Sequence, residues 1–219
     1  MRIWLLRMSL VMMLLGCQET PTTPTTIPIT PSPEGNASAV VAAMNVMQQL
    51  AIGPETAIVT IVEYGTYGCQ VCRRVYQLGL IDKLTVRYPR DIRYIYIPWP
   101  VIHPNDVLAT EAVFCAQEQG YDQFWLLHRA LLSLDFMDYD HYTTDEAYFE
   151  LAANLGLDAD GLRACLDAGV YHQMVHELVD EGYRLRLPGT PAFFVNGLPS
   201  SAFTLEGDVL QRLFEKRPN

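Results

Sequence analysis

The sequence predicts an α/β fold, and three observations carry that prediction. Ala57 to Glu63 (AIVTIVE) and Ile92 to Ile97 (IRYIYI) are β-branched and aromatic runs on either side of a helical stretch. Strands so connected pair in parallel. Residues 105–186 carry helical patterning throughout. Ala192 to Val195 (AFFV) is a short apolar strand, followed by an Asn-Gly turn. The order is β-α-β, a helical block, then β-β-α, without internal repeat.

Composition limits what the chain can be. With 219 residues it suits one domain, or one domain with appendages. Half the residues are hydrophobic and 18% are charged, which excludes disorder over the full length. The formal net charge of -10, from 15 basic and 25 acidic residues, repels phosphate backbones, so nucleic acid is no expected partner. Five cysteines are too few for a disulfide-dense miniprotein, and the odd count leaves at least one outside internal pairing.

The chain begins with Arg2 and Arg7, no acid, and the apolar run Leu10 to Leu15 before Gly16 and Cys17. A basic start and a short apolar stretch form an export signal. The run falls short of the ~20 residues that span a bilayer. Leu14-Leu15-Gly16-Cys17 resembles the bacterial lipobox, in which cleavage exposes a cysteine that is then acylated. The expectation is a signal peptide over residues 1–16, lipid on Cys17, and an extracytoplasmic protein of the cell envelope anchored to a membrane. Residues 17–36 hold that anchor and a Thr/Pro-rich linker. From Gln18 to Asn36, 11 of 19 residues are Pro or Thr, a composition that extends rather than folds.

The globular part is expected from Ala37 to the end. Ala37 to Leu50 is alanine-rich and amphipathic and predicts a helix. Ala57 to Glu63 predicts a buried strand, Cys72 to Tyr88 a helix stopped by Pro89, and Ile92 to Ile97 a second strand. In the helical block, expected helices cover about Asp106 to Gln119, Tyr121 to Leu134, a third starting at Thr143-Thr144, Asp158 to Ala168, and Val170 to Leu185. Pro188-Gly189 ends the pattern. Ala202 to Leu205 is the expected hairpin partner of Ala192 to Val195, and Asp208 to Lys216 a closing helix.

Cys69-Gln70-Val71-Cys72 follows a strand and a glycine-containing turn and opens a helix. A thiolate there faces the positive end of the helix dipole and unpaired amides, which lowers its pKa. A cysteine three residues on can attack the mixed disulfide formed by the first and release the substrate as the internal disulfide closes. Cys69 is then the attacking or attacked sulfur and Cys72 the resolving one. Zinc would need two further ligands. His172 and His176 lie 99 or more residues beyond Cys72, and HQMVH lacks a metalloprotease glutamate, so they read as a solvated helix face. No metal and no organic cofactor is required by this chemistry.

EYGTYGCQVCRR (Glu63 to Arg74) and GTPAFFVNG (Gly189 to Gly197) together resemble the DsbA-like branch of the thioredoxin superfamily. HPNDVLATEAVFCAQEQGYDQFW (His103 to Trp125) and LRACLDAG (Leu162 to Gly169) resemble that family's helical insertion, in the same order along the chain. The resemblance implies a thioredoxin-like fold with a helical domain inserted after the second core strand, here over about residues 105–186 of a domain spanning 37–219. It implies that Thr190-Pro191 is the small residue and cis-proline beside the cysteine pair, leaving the Thr190 backbone free to pair with an extended substrate. It also implies that Glu63 is a buried acid that moves the proton of the buried cysteine, its pKa raised by apolar neighbours. Some relatives bridge two cysteines in the insertion, which here would be Cys115 and Cys165.

The dipeptide departs from the best-known relatives, which place Pro-His between the cysteines. Gln70-Val71 supplies no cation, and Arg73 and Arg74 read as facing solvent, so a less depressed Cys69 pKa and a less oxidising couple are expected. The expected activity is thiol:disulfide exchange with exported cysteine-containing proteins, as a disulfide donor, with a membrane redox partner and as a monomer. A reductase or isomerase of the same fold is one alternative. A copper-binding, metal-delivery lipoprotein is another, although the nearest such family spaces its cysteines by three residues.

Overall fold

The computed structural model of the chain describes residues 45, 47, 48 and 50–216. The expected signal peptide, the Cys17 lipid site and the Thr/Pro-rich linker lie outside these residues. Of the helix expected over Ala37 to Leu50, Asn45, Met47 and Gln48 are described and helical.

In chain order the elements are β1 (Val59–Gly65), α1 (Gln70–Gln77), α2 (Leu80–Arg87), β2 (Ile92–Pro98), α3 (Asp106–Gln117), α4 (Tyr121–Ser133), α5 (Phe136–Tyr139), α6 (Asp145–Asn154), α7 (Ala159–Asp167), α8 (His172–Arg184), β3 (Ala192–Val195), β4 (Leu198–Ser200) and α9 (Leu205–Lys216). The four strands form one sheet in the order β2-β1-β3-β4. β1 runs parallel to β2, with Val59 opposite Ile92 and Glu63 opposite Tyr96. It runs antiparallel to β3, with Glu63 opposite Phe193. This is the thioredoxin-like sheet, with the helical block inserted between its second and third strands.

The chemistry of the strands explains their place. β2, at one end of the sheet, is buried along its whole length, and the central β1 everywhere but Thr60, as expected for strands covered on both faces. α9 packs on β1 and β3, and α2 on β2. The inserted block is built around α3. Its Ala109, Ala112, Val113, Phe114 and Ala116 are all buried, because α4, α6, α7 and α8 pack against it. The Thr144 expected to start a helix is the N-cap of α6.

Three expectations are corrected. The single helix over Cys72 to Tyr88 is two helices. The first starts at Gln70, with Cys69 as its N-cap, and the chain breaks at Leu78-Gly79. Gly79 sits at φ 61°, a left-handed conformation that glycine adopts at little cost. Nothing lies within 4 Å of where its Cβ would be, so backbone conformation and not space selects glycine here.

The hairpin partner of β3 is Leu198–Ser200 and not Ala202 to Leu205. Asn196 and Gly197 both have positive φ, as in a two-residue turn of the primed type. Such a turn sends the chain straight back, so Val195 pairs with Leu198 and Phe194 with Pro199. Residues 202–204 then form the turn that starts α9. Proline is accommodated because β4 is an edge strand.

Arg73 does not face solvent. It is 3% exposed, while Arg74 is exposed as expected. Buried carbonyl acceptors and an aromatic ring, described below, draw Arg73 inward.

Candidate functional site

Cys69 and Cys72 lie at the N-terminus of α1, at the edge where β1 and the loop before β3 meet. Among the described residues they are the free thiols. Cys69 takes the N-cap position in extended conformation, and its Sγ accepts the backbone N–H of Cys72 at 3.1 Å. On its other side the Sγ lies 3.3 Å from the carbonyl oxygen of Thr190. The Thr190-Pro191 peptide bond is cis. Cys72 is buried one turn deeper.

The two sulfurs are held at opposite ends of the acidity scale. The Cys69 thiol is lowered to about 6, first by its hydrogen bond with the Cys72 side chain; burial opposes the shift, and contacts with Thr190 and the first-turn backbone add to it. The Cys72 thiol is pushed far above its ordinary value, mainly by burial, then by the bond to Cys69 and by the Glu63 charge. The value for Cys69 lies well above the ~3.5 that the most acidic CxxC thiols reach.

Glu63, in β1, is buried under the pair. Burial raises its carboxyl to about 7, with the Cys69 charge adding and the Tyr94 hydrogen bond opposing. Tyr94 Oη donates to Glu63 Oε2 at 2.8 Å. A cavity of about 30 Å³ beside the acid is lined by Glu63, Cys72, Tyr94, Trp125 and His128, among others. That volume is enough to admit water. Cys72 and Glu63 thus line the same small cavity. His128 is not a proton carrier there: burial pulls the imidazole down to about 3, so it stays neutral.

The remaining predicted residues lie elsewhere. Cys115 in α3 and Cys165 in α7 are joined in a disulfide within the helical block. His172 Nδ1 lies 2.8 Å from Glu111 Oε1, and its ring centroid is 4.5 Å from that of His176. No group of three or more metal-ligating side chains is assembled among the described residues.

Sequence reading missed Tyr94, Arg73, Asp106 and Tyr139. Each reaches the site from an element whose local pattern announces only a strand or a helix.

A second opening, of about 500 Å³, runs past the site and is lined by Val71, Leu187, Pro191, Phe193, Phe194 and Phe203 with neighbouring residues. Phe203 is 97% exposed at its edge.

Comparison with known proteins agrees with this fold. A family model described as thioredoxin matches residues 45–206. A sodium/proton antiporter, NhaA 3 of Salinispora tropica, is 33% identical over 149 residues, covering 66% of this chain and 21% of the antiporter. The chain thus spans about one fifth of the length of that relative. The probable disulfide bond formation protein D of Bacillus anthracis is 22% identical over 153 residues, covering 68% of this chain and 70% of that protein. Among solved structures, oxidised BdbD from Bacillus subtilis superposes with a TM-score of 0.66 at 20% identity, covering 75% of this chain and 92% of that one.

Proposed function

This chain belongs to the thioredoxin family, and on that premise we propose that it is an extracytoplasmic thiol:disulfide oxidoreductase that donates disulfides to exported proteins through Cys69 and Cys72. The observation that carries the reading is the opposed acidity of two cysteines three residues apart: a helix-capping thiol lowered to about 6 and one a turn deeper pushed far up. Such a split suits exchange, because the first sulfur leaves readily as thiolate and the second holds its proton until needed.

In the donating direction a substrate thiolate attacks Cys69 Sγ of the oxidised pair. The Cys69–Cys72 bond breaks, and Cys72 leaves as a thiolate that takes a proton from Glu63. A second substrate thiolate then attacks the substrate sulfur of the mixed disulfide and expels Cys69 as thiolate. The substrate loses two electrons and the protein gains them, so a partner must reoxidise the pair. A membrane redox protein is the proposed partner. The Thr190 carbonyl and the apolar opening past Pro191 give an extended substrate a backbone acceptor and a surface for its side chains.

Stabilising the Cys69 thiolate stabilises the reduced form, which supports donation over reduction. The export signal and the Cys115–Cys165 disulfide support an oxidising compartment. We extend the proposal to the anchor: residues 1–16 are a signal peptide, Cys17 carries lipid, and residues 17–36 hold a domain spanning 37–219 off the membrane. No helix among the described residues is long and apolar enough to cross a membrane.

The test is the reduction potential of the protein, measured by equilibration with glutathione. A value toward about -120 mV supports a disulfide donor, and a value toward about -270 mV supports a reductase. A wild-type pair that does not exchange at all overturns the enzymatic reading.

A further inference from the structure

The peptide unit between Tyr67 and Gly68, directly before Cys69, is gripped at both of its polar atoms. Its carbonyl oxygen accepts from Arg73 Nε at 2.6 Å, and its N–H donates to Asp106 Oδ1 at 2.7 Å. The two gripping side chains are joined through Tyr139. The Arg73 guanidinium lies 4.4 Å from the Tyr139 ring centroid, and Tyr139 Oη donates to the same Asp106 oxygen at 2.8 Å. Arg73 also donates from Nη1 to the Leu134 carbonyl at 2.9 Å, and its backbone N–H to the carbonyl of Cys69 at 3.1 Å.

The hydrogen bonding in this cluster is uneven. Asp106 is fully buried and accepts four donors: Gly68 N–H, Tyr139 Oη, and the N–H groups of His103 at 2.8 Å and Ile102 at 3.2 Å. Arg73 is nearly as buried, yet its Nη2 has no hydrogen-bond partner among the described residues. A buried ion is costly unless it is paired and fully hydrogen-bonded. The carboxylate meets that condition and the guanidinium does not. The packing also demands glycine at 68, since a Cβ there would stand 2.3 Å from His103 Cβ and 2.8 Å from Asp106 Oδ1.

We infer that Arg73, Tyr139 and Asp106 form a clamp on the Tyr67–Gly68 peptide that positions Cys69 and sets the buried Arg73 cation under the loop that carries its thiolate. Arg73 is thus a positioning residue that takes over, from beneath the loop, the cationic part absent from the Gln70-Val71 dipeptide. The inference rests on the reading of Cys69 as the exchanging sulfur. The charged and titratable groups around Arg73 and Cys69 are Cys72 on the same helix, Glu63 from β1, Asp106 from α3, Tyr139 from α5 and Asp140 after it.

The test compares wild type with Arg73→Met and Arg73→Lys, reading the pH midpoint of Cys69 alkylation and the glutathione equilibrium. Arg73→Met is expected to raise the midpoint by about one unit. At pH 7 this moves the glutathione equilibrium about fivefold toward the protein disulfide. Arg73→Lys, which keeps the charge, is expected to stay near wild type. A folded Met variant with an unchanged midpoint overturns the inference, as do Met and Lys variants shifted equally. Should the Met variant fail to fold, amide exchange of wild-type Gly68 decides. Protection of about 100-fold or more supports the clamp, and free exchange overturns it. A wild-type pair inert to glutathione sinks the proposed function instead, while the alkylation midpoints still judge the clamp.

Discussion

The backbone N–H of Cys72 donates to the Sγ of Cys69 across 3.1 Å, so the sulfur serves as the cap of its own helix. The bond is worth more to a thiolate than to a thiol, and the helix N-terminus adds the positive end of its dipole. With the thiol lowered to about 6, Cys69 is mostly ionised at neutral pH. The rate of alkylation by iodoacetamide is therefore expected to rise with a midpoint near pH 6, and Cys69→Ser to lose it. Cys72 stays unmodified through pH 9, because burial holds its proton. A Cys69 midpoint above pH 8 would show that the cap does not act on the thiolate.

Glu63→Gln is expected to stabilise the protein, and only at high pH. The folded-state carboxyl is raised from 4.5 to about 7 by burial. Between those values the folded chain holds a proton that the unfolded chain has released, so stability falls as pH rises through this window. The penalty is fully present above about pH 7 and absent below about pH 4.5. The amide removes it while still accepting the Tyr94 hydrogen bond. The expected gain is roughly 3 kcal/mol at pH 8 and near zero at pH 4. Urea unfolding at both pH values measures it, and equal gains at the two would contradict a titrating carboxyl. Exchange slows in the same variant, since Cys72 loses its proton partner.

The two glycines near α1 are expected to fail differently when given a methyl group. Gly79→Ala meets no neighbour and costs about 1 kcal/mol, from the positive φ alone. Gly68→Ala drives a Cβ to within 2.3 Å of His103 Cβ and costs about 2 kcal/mol or more, from overpacking. Only the second disturbs the loop that carries Cys69, so only the second also changes the alkylation rate. Equal effects on that rate would remove the distinction.

The order of elements was legible because β1, β2 and β3 are written in local composition, apolar and β-branched. Cys69, Cys72, Glu63 and Thr190-Pro191 were legible because their motifs lie in two short segments that the fold brings together across the sheet. What stayed hidden depends on single backbone angles and on distant partners. The left-handed turn at Gly79 splits a helix whose side-chain pattern runs through it. The tight turn at Asn196-Gly197 fixes where β4 begins, although the apolar residues beyond Ser201 imitate a strand. Arg73 reads as a surface residue because its acceptors come from residue 67 in the preceding loop and residue 134 beyond α4. No periodicity in the sequence records such a meeting.

The Cys115–Cys165 bridge is expected to stabilise the helical block without tuning the exchange chemistry. It ties the later part of α3 to α7 across a sequence separation of 50. By chain entropy alone, closing a loop of that length is worth about 4 kcal/mol. The Cys115→Ser/Cys165→Ser double variant should therefore lose about that much unfolding free energy, read as a lower denaturant midpoint at an unchanged slope. Its Cys69 midpoint should stay near pH 6, because the first turn of α3, where Asp106 meets Gly68, lies at the opposite end of the helix and is held by four hydrogen bonds of its own. A variant that loses stability and also shifts the Cys69 midpoint would mean that the bridge reaches the site through α3, and that the block and the active-site loop are one mechanical unit.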